Sequence, residues 1–232
     1  MATWIMHLRI ADRLLDELSE SLAGRLDTEA FLIGSMAPDS GVPNADWSAY
    51  FPPKSVSHFK TKKNDESFFD IDRFVREYFR PESRREMTPR AYSFFLGYYI
   101  HLLTDEIWTE QIFGEARIRY PEAFANDRPA LINRFKEDWY DLDFLYLEEH
   151  PDFRAFRLYE AAEGFVNDLM PIFSADAFED RRRYICGFYH SDEHGELHRT
   201  YPYLTKAEAD AFVENTGRRL TGALIDMEKE NR

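Results

Sequence analysis

Cysteine occurs once in the 232 residues, at Cys186. A disulfide framework within the chain is thereby excluded, and so is a zinc knuckle built on cysteines. Cys186 reads as a small apolar core residue. Long apolar runs are also missing: nothing approaches the ~18 consecutive apolar residues of a membrane span. The segment Met1–His7 lacks the basic stretch and apolar core of a secretion leader, so the reading is a cytoplasmic protein. Positive charge is scarce, with 29 Lys and Arg against 43 Asp and Glu and a net charge of −14. A duplex or phosphate-backbone binder would carry a basic face, so no duplex nucleic acid is expected as a partner. No Gly-rich phosphate loop is present. No Ser occupies a nucleophile elbow. Strand-like alternation of useful length, internal repeats and low-complexity linkers are absent as well.

What remains is apolar, aromatic and periodic. Hydrophobic residues make up 44% of the chain, with 20 Phe and 13 Tyr, enough for a packed core built largely from rings. The spacing of His7, Ile10, Leu14, Leu15, Leu18 and Leu22 predicts a helix from about Ile5 to Leu22, closed by Gly24. A short helix through Phe31, Leu32 and Ile33 follows, capped by Asp27 or Thr28. Residues 37–64, with Pro38, Pro43, Pro52 and Pro53, read as one long irregular stretch. Asp65 or Ser67 is expected to start a helix through Phe74 to Tyr78. Thr88-Pro89 launches another, and Pro129–Glu149, Phe153–Leu169 and Ala175–Ile185 are further helices. Thr205-Lys206-Ala207-Glu208 is a capping box for the last one. The fold expected is all-α: a single multi-helix domain over residues 1–232, with a long, metal-tethered loop between the second and third helices.

The Thr88-Pro89 helix carries the most informative pair. His101 and Asp105, four residues apart, lie on one helical face inside an apolar wall. A buried carboxylate without a partner costs several kcal/mol, and a divalent cation would serve both groups. His7 lies on the apolar side of the first helix, Asp39 follows Pro38 at a helix exit, and His58 sits in Ser57-His58-Phe59 near Lys54, Lys60, Lys62 and Lys63. The bland readings are a core histidine, a turn-forming aspartate and a surface histidine in a basic loop. Together the three His and two Asp suit zinc or another first-row divalent metal. Asp138 and Asp141, like charges three apart on a helix, repel unless a cation relieves them, so an exposed acidic face competes with a late metal ligand. His190, His194 and His198 recur every four residues and suit either a polar loop or a flap over the site.

The ordered set His7-Leu8-x-Ile10, Pro38-Asp39, Ser57-His58-Phe59 and Leu96-Gly97-x-x-x-His101-x-x-x-Asp105 resembles the zinc-dependent phospholipase C family, whose helical fold is shared with the single-strand-specific zinc nucleases. The resemblance covers about the first half of the chain. It implies that Asp39, His58, His101 and Asp105 bind one metal, and that His7 and Asp105 could share a second. The secreted members also use the amino group and carbonyl of an N-terminal Trp; here Trp4 lies three residues inside the chain. A further family His after the Asp has no counterpart in Glu106–Gln111. One or two ions are therefore expected, not three.

These readings converge on a metal-dependent hydrolase, expected to act on small-molecule or lipid-like phosphoesters through a metal-activated water. Asp39 is the expected base, with Glu106 or Asp46 as substitutes. The alternative is a non-catalytic metalloprotein whose ion orders the long loop while its surface binds a partner. An HD-type phosphohydrolase would need an adjacent His-Asp dipeptide, which the chain lacks. Nothing in the sequence bears on oligomeric state.

Overall fold

Thr3 opens the first helix, α1 (Trp4–Glu17), by accepting a hydrogen bond from the Met6 amide. The computed structural model describes every residue except 19, 47, 64, 65, 231 and 232. One face of α1 buries Ile5, Leu8, Ile10, Ala11 and Leu14. The other sends Arg9 to Asp210 at 2.6 Å and Arg13 to Glu214 at 2.5 Å. The helix stops at Glu17, short of the predicted Leu22, because Leu18 takes extended backbone. A short α2 (Glu20–Ala23) still delivers Leu22 to the core, so the apolar period continues without a continuous helix.

Helix α3 (Thr28–Met36) is capped by Asp27, which accepts from Ala30 N at 3.0 Å. Every residue from Ala30 to Met36 is buried, as in a helix enclosed on all sides. It runs into a 3₁₀ turn (Ala37–Asp39). The stretch expected to be irregular holds short ordered pieces. β1 (Val42–Pro43) pairs antiparallel with β2 (Tyr50–Phe51), a short α4 (Lys54–Ser57) follows, and β3 (Lys60–Lys63) pairs with β4 (Glu66–Phe69). Phe68 and Phe69, expected in a helix, are therefore in a strand, and Asp70 caps α5 (Ile71–Tyr78) instead. Asp65, the other cap expected there, lies outside the described residues.

After a short α6 (Pro81–Arg84), Thr88 caps α7 (Pro89–Trp108) by accepting from Ala91 N at 3.2 Å, with Pro89 at its first turn. A π-helical turn (Thr109–Phe113), α8 (Gly114–Arg119) and α9 (Pro121–Asn126) lead to α10 (Arg128–Glu149). Then come α11 (Arg154–Ala161), α12 (Ala177–Tyr189) and α13 (Lys206–Glu230). The fold is all-α apart from the two small sheets. One apolar core runs from Ala2 to Met227. No helix among the described residues is long and apolar enough to cross a membrane.

Two glycines set the packing at the centre. A Cβ at Gly34 of α3 would fall 2.1 Å from the Phe94 carbonyl oxygen, and one at Gly97 of α7 would fall 2.1 Å from that of Phe31. The two backbones are thus in direct contact, an approach that any side chain at either position would block.

A buried carboxylate joins three helices. Asp143 of α10 accepts from the Thr3 hydroxyl at 2.7 Å and from the Tyr189 hydroxyl of α12 at 2.5 Å. Burial, only partly offset by those two bonds, raises its pKa to about 7. Because the folded value lies above the unfolded one, its stabilising contribution is complete below about pH 4 and is lost as pH rises through 7. The stability of the native protein relative to Asp143→Asn should therefore fall by about 1 kcal/mol per pH unit between pH 5 and 7. Urea unfolding of both proteins across that range measures the slope; a flat or rising difference contradicts this assignment.

Candidate metal centre

Five side chains from four places in the chain converge beside the α3–α7 contact. His7 comes from α1, Asp39 from the 3₁₀ turn, His58 from the residue after α4, and His101 and Asp105 from successive turns of α7. Exposure is 0% for His58, His101 and Asp105, 2% for His7 and 8% for Asp39. Two groups of three could each hold an ion: His7, His101 and Asp105, and Asp39, His58 and His101, each with its ligand atoms within 4.8 Å of one another.

Each side chain is aimed by a neighbour. The glycine contact brings the Ser35 carbonyl to His101 Nδ1 at 2.7 Å. A carbonyl only accepts, so Nδ1 carries the proton and Nε2 presents its lone pair inward. His58 Nδ1 lies 3.0 Å from the Ser57 hydroxyl, which likewise leaves Nε2 facing the centre. The Tyr98 hydroxyl donates to the Ser57 carbonyl and ties this loop to α7. Phe59 takes a left-handed backbone, φ 50°, and its ring packs against Phe74 and Tyr98. The Trp4 indole donates to Asp39 Oδ2 at 3.1 Å, so Oδ1 is the oxygen turned to His58. The imidazoles of His7 and His101 stack at 3.8 Å, tilted by only 6°.

The spacing of the inward atoms is the decisive measurement. His58 Nε2 lies 3.4 Å from Asp39 Oδ1 and 3.6 Å from Asp105 Oδ2. His101 Nε2 lies 3.7 Å from Asp105 Oδ2, and His7 Nε2 3.5 Å from Asp105 Oδ1. A protonated imidazole bonded to a carboxylate would sit about 2.7–2.9 Å away. Ligands about 2.0–2.1 Å from a tetrahedral ion stand about 3.4 Å apart, which these contacts approach. The Nε2 atoms of all three histidines and Asp105 Oδ2 are buried with no hydrogen-bond partner. Such orphaned groups are costly unless something else occupies the space between them. The two oxygens of Asp105 face different histidines, the disposition of a carboxylate able to touch two ions.

The electrostatics agree. Burial opposes the charge on Asp105, but the nearby chain amino group, His7 and His101 overcome it and hold the carboxyl well below the usual range. Burial likewise opposes Asp39, and the neighbouring His58, Lys54 and His101 bring it well below the usual value. Burial and the neighbouring His7 lower His101 to about 3. Two ionised carboxylates thus face a neutral His101 in a largely buried space, and a divalent cation is the complementary charge.

Other sequence candidates lie elsewhere. Asp138 and Asp141 are both bound by Arg199, each at 2.8 Å, and Asp141 also accepts from Gly195 N. Both are buried, not on an exposed acidic face, and an arginine takes the place expected of a cation. His190 pairs with Glu160, His198 with Glu148, and His194 Nδ1 with the Gly195 carbonyl. None of these histidines joins either metal-capable group. Glu106 has Arg219 and Glu110 as its charged neighbours, and Asp46 is bonded to Ser48 in an exposed turn. Cys186 is buried, with its thiol pushed up to about 11 chiefly by desolvation.

Residues 6–108 match the family description "Zinc dependent phospholipase C". This match supports the zinc-dependent phospholipase C family over the segment that carries the site, somewhat less than half of the chain. The matched segment begins one residue before His7 and ends three after Asp105, so it encloses all five converging side chains. Comparison with curated proteins and with solved structures returns no match. The matched segment leaves out α10 and α12, which line much of the cavity next to the centre. That cavity, about 510 Å3, is reached by Asp39 and walled by Trp4, Tyr50, Tyr140 and Arg181. Sequence reasoning missed Trp4 as the donor to Asp39, and missed Tyr140 and Arg181. No local motif marks them, because they meet the site only through helix packing.

Proposed function

We propose that this chain is a metal-dependent phosphoester hydrolase, with zinc as the resident ion. Asp39, His58, His101 and Asp105 hold the first ion. His7 and the second oxygen of Asp105 provide for another. Residues 1–232 act as one phospholipase C-like unit, since α13 packs on α1 through Arg9–Asp210 and Thr221–Glu17. The observation that carries the proposal is the set of orphaned, inward-facing ligand atoms 3.4 to 3.7 Å apart. When bound, the ion lowers the pKa of a coordinated water toward ~7 and polarises the phosphoryl oxygen.

The side chains do the rest. The Ser35 carbonyl keeps His101 in the tautomer that leaves Nε2 free, and the Ser57 hydroxyl holds the His58 ring with Nε2 toward the centre. Trp4 fixes Asp39, whose ionised oxygen lies at the cavity edge and accepts the hydrogen bond that orients the attacking water. Its depressed pKa makes Asp39 a weak base, so it contributes by orientation more than by proton removal. Tyr140, Trp4 and Phe188 form the apolar wall, with ring centroids 5.7 to 5.8 Å apart, and exclude bulk water.

A panel of p-nitrophenyl phosphomonoesters and phosphodiesters tests this. Turnover is expected to stop with chelator and to return with zinc, manganese or cobalt. Asp39→Asn should lower it by at least about 100-fold. A full metal site with no turnover of any ester would leave the ion the task of pinning residues 37–59 to α7.

A further inference from the structure

We infer that the cavity beside the metal centre selects a phosphoester carrying a second negative charge and rejects one carrying a quaternary ammonium. This rests on the hydrolase reading above and specifies its substrate class.

Three cations line the cavity with Asp39: Lys54, Lys136 and Arg181. The chain has 43 acidic residues, and most arginines near the fold's other seams are paired, as Arg9, Arg182 and Arg199 are. Among the described residues, none of the three cavity cations forms an ion pair. Arg181 is only 8% exposed. Its Nη2 donates to the Gly41 carbonyl at 2.6 Å, and its Nε has no partner. Lys136 lies near enough to Lys54 for that like charge to disfavour its own protonation, after the larger effect of burial. Like charges converging on a cavity are relieved by an anion.

Charge counting separates the candidate ligands. The carboxylates of Asp39 and Asp105 offset one divalent ion. The three side-chain cations are left for the ligand, whereas a phosphodiester brings a single negative charge. A second anionic group uses what the diester leaves.

The aromatic walls point the same way. Rings can hold an onium ion against their faces. Here the Arg181 guanidinium already lies 5.2 Å from the Tyr184 centroid and 6.0 Å from that of Trp4. Lys54 Nζ lies 4.7 Å from the centroid of Tyr50. An incoming quaternary ammonium would meet cations where it needs open ring faces.

Three phosphonates that differ in the group at the far end of a short alkyl chain test the rule by calorimetry on the zinc-loaded full chain: ethylphosphonate, 3-phosphonopropionate and 2-(trimethylammonio)ethylphosphonate. The carboxylate compound should bind about tenfold tighter than ethylphosphonate, and the ammonium compound weakest. In a Lys54→Ala, Lys136→Ala variant the advantage of the carboxylate should shrink to about threefold or less. A dihexanoylglycerol monoester of 3-phosphonopropionate identifies the source of the anion. Tighter binding than the free acid assigns a lipid headgroup, weaker binding a water-soluble ester, and both keep the charge rule. Equal affinity for the three phosphonates, or tightest binding of the ammonium compound, overturns the inference while leaving the hydrolase reading in place. Failure of all three to bind zinc-loaded protein overturns both.

Discussion

Gly97→Ala should destabilise the protein by at least about 3 kcal/mol and strip the metal, although it adds a single methyl group. The added carbon would stand 2.1 Å from the Phe31 carbonyl oxygen and 2.7 Å from the Ser35 amide nitrogen. Both atoms belong to helix backbone, which has no rotamer to yield, so α3 and α7 must separate. Separation lengthens the 2.7 Å contact between Ser35 O and His101 Nδ1, which fixes the tautomer and aim of His101. It also shifts the turn that carries Asp39. Gly222→Ala in α13 is the matched control, since nothing lies within 4 Å of its Cβ position. There alanine should raise stability by about 0.5–1 kcal/mol through helix propensity. Thermal unfolding with metal analysis reads both variants. A Gly97→Ala protein as stable and as metal-rich as the native one would contradict the packing account.

Asp105→Ala is expected to have the second large effect. Its two oxygens face all three histidines of the centre, and Oδ1 also accepts from the Ala2 amide at 2.8 Å. Removing them leaves the imidazoles without the charge that makes the site a cation trap, and it frees the start of α1. Metal content should fall to background, and the melting temperature should drop by about 10 °C or more. His101→Ala should follow it in metal loss. His150→Ala, an exposed residue whose ring rests on Tyr146 at 4.3 Å, should change neither quantity. Equal metal content in all three variants would place the site elsewhere.

The helices with chemical start signals were legible in the sequence. Thr88-Pro89, Asp27 and the Thr205–Glu208 box each place a cap, and each cap is present. The parts set by distant partners were not. Phe68 and Phe69 have helical neighbours in sequence, but they pair with Lys60 and Thr61 across a hairpin. Helix α11 ends at Ala161, short of the predicted Leu169, where Ala162 leaves helical backbone, and Asn167 organises the loop that follows. Its side chain donates to the carbonyls of Met170, Phe173 and Ser174. Residues 109–126, for which the sequence names no helix of their own, form the π-helical turn, α8 and α9. At the site, the i,i+4 pair and Ser57-His58-Phe59 could be read because their geometry is local. The convergence of α1, α3 and α7 could be anticipated only through the family resemblance, since it depends on two glycines whose spacing carries no helical signal. Arg199, which neutralises Asp138 and Asp141, lies about sixty residues away from both, beyond any local pattern.

The claim that this centre is a metal site is tested most directly by elemental analysis and X-ray absorption of protein purified without chelators and reconstituted with zinc. The account predicts one or two ions per chain, a first shell of nitrogen and oxygen at about 2.0–2.1 Å, and no sulfur scatterer. Protein that stays metal-free after reconstitution, or a shell containing sulfur, would contradict it.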